Sequence, residues 1–405
     1  VETAISAGNK PGEWRMTPSA HGAMVIERAG LDALLAYLSA EGFTVLGPRE
    51  QDGAIRYGSI HTSQDLPEGL REEQSPGRYR LHHDCGAALF AHNPGPDSWK
   101  RFFFPSDRHV WSLRLRDGVF EPVQGDEGDE GSEKYAIVGA RACELRALEL
   151  QDRVFLEQRF RDETYARRRE NAFVVAVNCA QAADTCFCAA MDTGPRCSTG
   201  FDLALTELVD EGPHEFLVEI GSDAGFASLE GVRARPAAEQ DLQRARQLSD
   251  RARRQQHRSM PGDVAALLAR NVERPSWQEV GDRCLACGNC TAACPTCFCS
   301  DFEDRADLTG TVAERRQKWS SCFNASFSYT HGGSVRGSTA ARYRQWMTHK
   351  LSTWFDQFDS SGCVGCGRCI TWCPVGIDIT AEVATIAARD GEHALDDAGA
   401  RPRSA

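Results

Sequence analysis

The first regular hydrophobic pattern along the chain lies in residues 30–40. Apolar residues recur there at helical spacing, at Leu31, Leu34, Leu35 and Leu38. This spacing puts the four side chains on one face, so it predicts an amphipathic helix. The apolar residues 43–46 that follow are typical of a short strand. Both elements indicate a packed core and carry no chemistry of their own.

A second apolar pattern predicts a strand, a helix and another strand. Residues 135–139 and 172–177 are apolar runs of strand length, and residues 142–156 continue the first strand as a helix. Two strands joined by such a crossover helix form a parallel βαβ unit. The functional crevice of a parallel sheet lies beyond the carboxyl ends of its strands. We therefore expect an N-terminal α/β domain with a site at that edge.

Cysteines follow both strands of the predicted βαβ unit. Cys143 follows the first strand and Cys179 follows the second, while Cys186 and Cys188 lie in the loop after it. Because the two carboxyl ends meet at one edge, the four thiols are expected to converge and to hold a [4Fe-4S] cluster. The alternative is that they are small buried residues with free thiols. Cys197 could replace one of the four.

The strongest chemical signal is a cysteine pattern, C-x2-C-x2-C-x3-C-P, that occurs twice. Its cysteines are Cys284, Cys287, Cys290 and Cys294 in the first run, before Pro295, and Cys363, Cys366, Cys369 and Cys373 in the second run, before Pro374. Bacterial-type ferredoxins hold two [4Fe-4S] clusters with such runs. The short spacers aim three sulfurs of a run at one cluster, and the fourth cysteine binds the cluster of the other run.

Crossed ligation assigns the eight thiols to two neighbouring clusters. The first set is Cys284, Cys287, Cys290 and Cys373, and the second set is Cys363, Cys366, Cys369 and Cys294. Zinc is the alternative, but it seldom takes four cysteines packed so closely, and here the pattern occurs twice with a proline after each copy. Disulfides fit poorly with the absence of a signal segment at the start of the sequence. The sequence therefore predicts two ferredoxin-type clusters.

Length and charge define the setting of these sites. The chain has 405 residues, enough for two or three domains, and a net charge of −12, which argues against nucleic acid as a partner. No apolar stretch approaches the roughly 20 residues needed to cross a bilayer. We expect a cytoplasmic protein without a membrane segment. Its α/β domain spans residues 1–260, a mainly α-helical, two-cluster ferredoxin-like domain spans residues 261–388, and residues 389–405 form a disordered tail.

Other cysteines have no assigned ligand role. Cys297, Cys299 and Cys322 lie in the long insertion between the two runs, where we expect packing or contacts beside the clusters. Cys85 follows His82 and His83, but such a local trio without a spaced partner is more often an exposed loop than a metal site.

Several short motifs together resemble those of one family, the iron-sulfur beta subunits of cytoplasmic NAD(P)-linked [NiFe] hydrogenases, also called sulfhydrogenases. The iron-sulfur subunit of anaerobic sulfite reductases is similar. The motifs are Gly139-Ala-Arg-Ala-Cys143-Glu-Leu145, Arg168-Arg-Glu-Asn171, Asn178-Cys179, Thr185-Cys-Phe-Cys188, Gly200-Phe-Asp-Leu203, Cys294-Pro-Thr-Cys297-Phe-Cys299 and Trp319-Ser-Ser-Cys322.

The resemblance implies an electron-transfer subunit without an active site of its own. Its partners would be a flavin and NAD(P)-binding subunit and the large and small subunits of the [NiFe] hydrogenase, with ferredoxin or polysulfide as a further electron partner. The sequence agrees, since it has neither a dinucleotide-binding glycine pattern nor a P-loop. A sulfite reductase subunit and a free ferredoxin-like carrier remain as alternatives. The long N-terminal part favours a complex, because a carrier needs no such scaffold.

Overall fold

The computed structural model describes residues 22–123, 133–209 and 212–399. In these residues the strands are β1 (Ala23–Glu27), β2 (Thr44–Gln51), β3 (Ala54–Ser59), β4 (Leu70–Ser75), β5 (Arg78–His83), β6 (Asp107–Arg116), β7 (Val119–Pro122), β8 (Tyr135–Ala140), β9 (Ala172–Val177), β10 (Leu203–Leu208), β11 (Glu215–Ile220), β12 (Ala234–Pro236), β13 (Ser300–Ala306), β14 (Val312–Trp319), β15 (Tyr329–Thr330) and β16 (Gly333–Ser334).

The helices of the same residues are α1 (Arg28–Ala40), α2 (Lys100–Phe103), α3 (Ala142–Phe155), α4 (Glu163–Glu170), α5 (Asp223–Ala227), α6 (Glu239–Arg254), α7 (Val264–Arg270), α8 (Ser276–Arg283), α9 (Asn289–Ala292), α10 (Thr339–Thr348), α11 (Trp354–Phe358), α12 (Arg368–Thr371) and α13 (Ile379–Gly399). A π-helical turn, His349–Thr353, joins α10 to α11. None of the described helices is long and apolar enough to cross a membrane.

The N-terminal part is built on a large sheet with the strand order β12-β1-β11-β10-β9-β8-β2-β3. Strands β2, β8, β9 and β10 run parallel in its middle, and the outer strands pair antiparallel. Helix α1 packs its four leucines into the core of this sheet, as their spacing predicts. The predicted α/β architecture is therefore present in this part of the chain.

The predicted βαβ unit is formed by β8, α3 and β9. The two strands pair in parallel, with Ala136 beside Phe173 and Val138 beside Val175. Both strands are almost completely buried, which explains why their sequences are continuous apolar runs rather than alternating ones. Cys143 and Cys179 consequently leave the sheet at the same edge.

The C-terminal part contains helices α7 to α13 around a second apolar core. Trp277, Phe323, Tyr343 and Trp346 pack in this core, and the apolar residues of α13 close it. The family comparison reported below supports a dicluster domain here, and the helical elements surround both cysteine runs. Helix α13 continues to Gly399, across much of the segment that the sequence predicts to be a tail, and residues 400–405 lie outside the described residues.

The long insertion between the cysteine runs joins the two parts of the chain through a small sheet. Strands β13 and β14 form a hairpin, and β14 also pairs antiparallel with β6 of the N-terminal part, in the order β13-β14-β6-β7. The sequence indicates only a loop and a helix in the insertion. The sheet is an additional feature that ties residues 300–319 to residues 107–122.

Two glycines of the second run allow it to pack directly on the N-terminal part. Gly365 and Gly367 have φ values of +64° and +75°, a conformation that side chains disfavour. A Cβ on Gly365 would lie 2.6 Å from the backbone of Phe187, and one on Gly367 would overlap Thr185. The amide of Phe187 donates to the carbonyl of Gly365 at 2.8 Å. The second run is thus fitted against the loop that carries Cys186 and Cys188.

Candidate metal centres

The first set of cysteines surrounds an apolar space at the end of α8. Electrostatic contacts link Cys290 to Cys284, Cys287 and Cys373, so the last cysteine of the second run lies with the first three of the first run. Residues with positive φ, Ala286 and Gly288, curl the chain between the cysteines before α9 begins. The space is also lined by Leu285, Phe323, Tyr343, Trp346, Val375 and Ile377.

The second set has the same local geometry. Cys363, Cys366 and Cys369 are electrostatic neighbours of Cys294, the last cysteine of the first run. In each run the amide two residues after the first cysteine points at its sulfur, at 3.4 Å for Ala286 and Cys284 and at 3.5 Å for Gly365 and Cys363. The structure therefore brings together the cysteines of each predicted crossed set, while their ligation remains a prediction.

The environment of both sets suits bound iron-sulfur clusters. Burial raises the pKa of Cys290 and Cys369 well above the usual thiol value, and it raises the pKa of Cys363 to about 12. Without a cluster these groups are neutral thiols, and binding iron requires them to lose their protons. Thiols in an apolar pocket with amide donors at their sulfurs are the features that hold [4Fe-4S] clusters and set their potentials.

The two ferredoxin-type sites differ in their exposure. Cys287 of the first set is exposed, and its neighbour Leu285 has 62% of its surface accessible. Val375, on the other side of the same space, is 43% accessible. In the second set Cys294 is buried and the other three cysteines are partly buried. The first site therefore opens to the surface, and the second lies deeper.

The third predicted set lies entirely inside the protein. Cys179, Cys186 and Cys188 are electrostatic neighbours of one another, and Cys143 adjoins Cys188. All four are at most 8% exposed. Cys143 and Cys188 also adjoin Cys366 of the second set, so the second set lies between the other two. The structure brings the four cysteines to the sheet edge that the topology predicts, and their ligand role remains a prediction.

Polar groups reach the sulfurs of this third set. The side-chain amide of Gln256, just after α6, donates to the Cys188 sulfur at 3.3 Å. Burial raises the pKa of Cys179, and the nearby Arg141 guanidinium opposes this effect. Cys197 is 3% exposed and adjoins Cys179, so it remains the reserve candidate.

A fourth group of thiols, which the sequence does not predict, lies beside Cys294. Cys297 hydrogen-bonds Cys294, and Cys299 hydrogen-bonds Cys322. The bond from Cys322, opposed by burial, lowers the pKa of Cys299 to about 7. The close spacing of Cys294, Cys297 and Cys299 is the only sequence signal for this group, and the approach of Cys322 depends on the tertiary fold.

Two buried lysines accompany this group. Lys350 is 4% exposed and its ammonium donates to the Cys294 sulfur at 3.1 Å. Lys100 is 3% exposed, donates to the carbonyls of Cys294 and Cys297, and lies 3.8 Å from the Trp319 ring centroid. Burial alone would lower the pKa of Lys350, but the thiolates of Cys294 and Cys297 raise it well above the usual value.

The trio at the end of β5 does not assemble into a metal site. His82 lies 3.3 Å from Glu73, and the thiol of Cys85 contacts Asp84 at 3.7 Å. Among the residues that the structure describes, no three His, Cys, Asp or Glu side chains are placed to hold a single metal ion. In a [4Fe-4S] site four thiolates enclose a cluster of several irons, so such a site does not need three ligands around one ion.

Comparison with known proteins agrees with the class of protein that these sites define. The 4Fe-4S dicluster domain family matches residues 283–377, which include both cysteine runs. The chain is thus an iron-sulfur protein with a dicluster domain.

The chain is also 30% identical over 272 residues to the Sulfhydrogenase 2 subunit beta of Pyrococcus furiosus. The match covers 66% of this chain and 78% of that protein. The chain belongs to the family of iron-sulfur beta subunits of sulfhydrogenases, and it is an electron-transfer subunit of the oxidoreductase class. No solved structure matches it.

Proposed function

We propose that the chain relays single electrons within a NAD(P)-linked [NiFe] hydrogenase complex through three [4Fe-4S] clusters, held by the first, second and third sets of cysteines. When bound, each cluster accepts and donates one electron. The observation that carries the proposal is the order of the three sets. Cys290 of the first set adjoins Cys294 and Cys369 of the second, and Cys366 of the second adjoins Cys143 of the third.

The protein's own residues hold and insulate this line of sites. Aromatic side chains of the C-terminal core surround the first set, and backbone amides donate to its sulfurs. The third set is enclosed between the sheet edge and the second run. Such burial excludes water from the thiolates and favours their retention of iron. These residues supply sites for electrons and offer no general acid or base for a reaction of their own.

The exposed end of the line gives the chain a surface for electron exchange. Cys287 is exposed between the apolar side chains of Leu285 and Val375. Apolar residues at a rim lose their water on docking and so favour close approach of a partner. We assign this surface to the exchange of electrons with another subunit, and we place flavin, NAD(P) and the nickel-iron centre on partner subunits.

Iron analysis of the purified chain tests the number of clusters. Three clusters require about twelve iron atoms per chain, whereas about eight would remove the third site from the proposal. Purification of the native complex tests the assignment to a hydrogenase. Nickel and flavin in that complex support it, sirohaem would indicate a sulfite reductase instead, and an isolated monomer would indicate a free carrier.

A further inference from the structure

Lys350 brings a buried ammonium into hydrogen-bond contact with a sulfur of the second set. It lies in the π-helical turn His349–Thr353, whose neighbours Leu351 and Trp354 are buried. Turns of this type occur often at functional sites, because the extra residue re-aims a side chain. Here the side chain of Lys350 is directed at Cys294.

The contacts of Lys350 are those of a charged ammonium. It has three N–H donors, and the structure supplies three acceptors: the Cys294 sulfur at 3.1 Å, the Thr296 hydroxyl at 2.9 Å and the Gly362 carbonyl at 3.4 Å. Thr296 gives its own proton to Gly362 at 2.7 Å, which leaves its oxygen free to accept from Lys350. A buried ammonium is costly without a nearby negative charge, so this position suits a site that carries one.

The corresponding contact at the first site is neutral. Cys373 is the counterpart of Cys294, since each is the last cysteine of its run and completes the other set. Its sulfur accepts a backbone amide from Ile377 at 3.3 Å. A charged donor stabilises a negative acceptor more strongly than a neutral donor does. The two sites therefore differ by one buried positive charge at equivalent positions.

Arg368 is a further cation near the second set, and its charge is already balanced. It interacts with Cys366, but it also pairs with the buried carboxylate of Glu144 at 2.5 Å. The pair as a whole therefore brings no net charge to the site. The three acceptors of Lys350 include no carboxylate, so its charge acts on the thiolates and on the cluster they would hold.

We propose that Lys350 raises the reduction potential of the cluster held by Cys363, Cys366, Cys369 and Cys294, which makes this middle site the more readily reduced of the two ferredoxin-type sites. The proposal rests on the ligand assignment under the proposed function. One-electron reduction adds negative charge to the cluster and its thiolates, and both the charge and the hydrogen bond of Lys350 stabilise that form. Lys350 acts through Cys294, as a positioning and tuning residue.

Redox titration of the iron-loaded full-length chain, followed by electron paramagnetic resonance, tests this role. In Lys350→Met the equilibrium constant for reduction of the second site is expected to fall at least tenfold, a shift of about 59 mV for a one-electron couple. The potential of the first site should change by less than threefold in the same constant. Lys350→Arg keeps the charge and should restore most of the potential.

Lys100→Met is the matched control. This lysine is equally buried and close to the same thiols, but it donates to carbonyl oxygens rather than to sulfur. Its removal should lower the potential of the second site by less than half the shift seen for Lys350→Met. Equal shifts in both variants would overturn the role of the Lys350–sulfur contact.

Iron content separates tuning from assembly. A Lys350→Met protein with full iron and an unchanged potential at the second site refutes the proposal. If that variant does not assemble the cluster, Lys350→Gln replaces it and must show the lowered potential. Loss of the cluster in both neutral variants, with retention in Lys350→Arg, would also refute it, since Lys350 would then serve assembly. A wild-type chain without a cluster at this site would instead refute the proposed function.

Discussion

Replacing Glu144 with glutamine removes the counter-charge of a buried guanidinium. Glu144 and Arg368 are each 1% exposed and form an ion pair at 2.5 Å between α3 and the second run. The Glu144 carboxylate also accepts from the Tyr57 hydroxyl at 3.0 Å and from the Arg141 amide at 3.1 Å. In Glu144→Gln the amide group turns a donor toward these donors and leaves Arg368 unpaired.

The magnitude follows from this burial. Breaking a buried pair by removing one partner costs about 3–5 kcal/mol, because the remaining charge stays desolvated. Each 1.4 kcal/mol is a factor of ten, so the open population of the native protein should rise about 100- to 4,000-fold. Limited proteolysis under conditions of fast reclosing reports that population, and we expect the cleavage rate of Glu144→Gln to rise accordingly.

Two variants make this result interpretable. Glu382→Gln removes the charge from a pair with the half-exposed Arg283 at 2.6 Å, and such a pair contributes about 0–1 kcal/mol. The double variant Glu144→Gln/Arg368→Met removes both charges and should be more stable than Glu144→Gln alone. A Glu144→Gln protein that is cleaved no faster than Glu382→Gln would refute the reasoning, as would a double variant less stable than the single one.

Three further predictions concern the cysteines. Cys373→Ser should damage the cluster that contains Cys284 and leave the cluster of its sequence neighbour Cys369, since the fourth ligands are exchanged. Cys143→Ser should lose about four irons per chain, whereas Cys197→Ser should keep them. In the iron-free, reduced protein, burial raises the pKa of Cys188 to about 12, so its neutral form is favoured by folding. Stability from this group is complete below the unfolded thiol pKa of about 8.5 and declines as pH rises toward 12, which lowers the urea midpoint.

Each of these predictions has its own control. Spectra of Cys373→Ser that lack only the cluster containing Cys363 would contradict the crossed assignment. Iron loss from Cys197→Ser, with full iron in Cys143→Ser, would exchange the fourth ligand of the third set. The iron-loaded protein is the control for the pH series, because its bound thiolates have no proton to lose. An equal decline in both forms would remove the thiols as the cause.

Local sequence patterns predicted the elements whose burial is one-sided or complete. The leucines of α1 and the apolar runs of β8 and β9 follow rules of spacing that need no knowledge of the rest of the chain. The sheet of β6, β7, β13 and β14 was missed for the opposite reason. Its strands are polar and largely solvent-exposed, and the pairing of Arg114 with Val312 joins residues nearly 200 positions apart.

The candidate sites show the same division. Spacing within each run, and the meeting of two parallel strands, were sufficient to group twelve cysteines into three sets. The approach of Lys350 to Cys294 has no local signal, because a lysine in a helix is normally solvated and only the tertiary fold buries it. The contact between Cys299 and Cys322 likewise depends on the chain returning after the β13–β14 hairpin.

The close packing at Gly365 and Gly367 bears on how the protein matures. The second run reaches its observed shape against the backbone of Thr185 and Phe187, which are synthesised earlier in the chain. Iron loading of the middle site is therefore coupled to docking of two chain segments nearly 180 residues apart. A fragment cut out around the two cysteine runs would lose that template, so this dicluster unit is not an independent ferredoxin joined to a scaffold but a part completed by it.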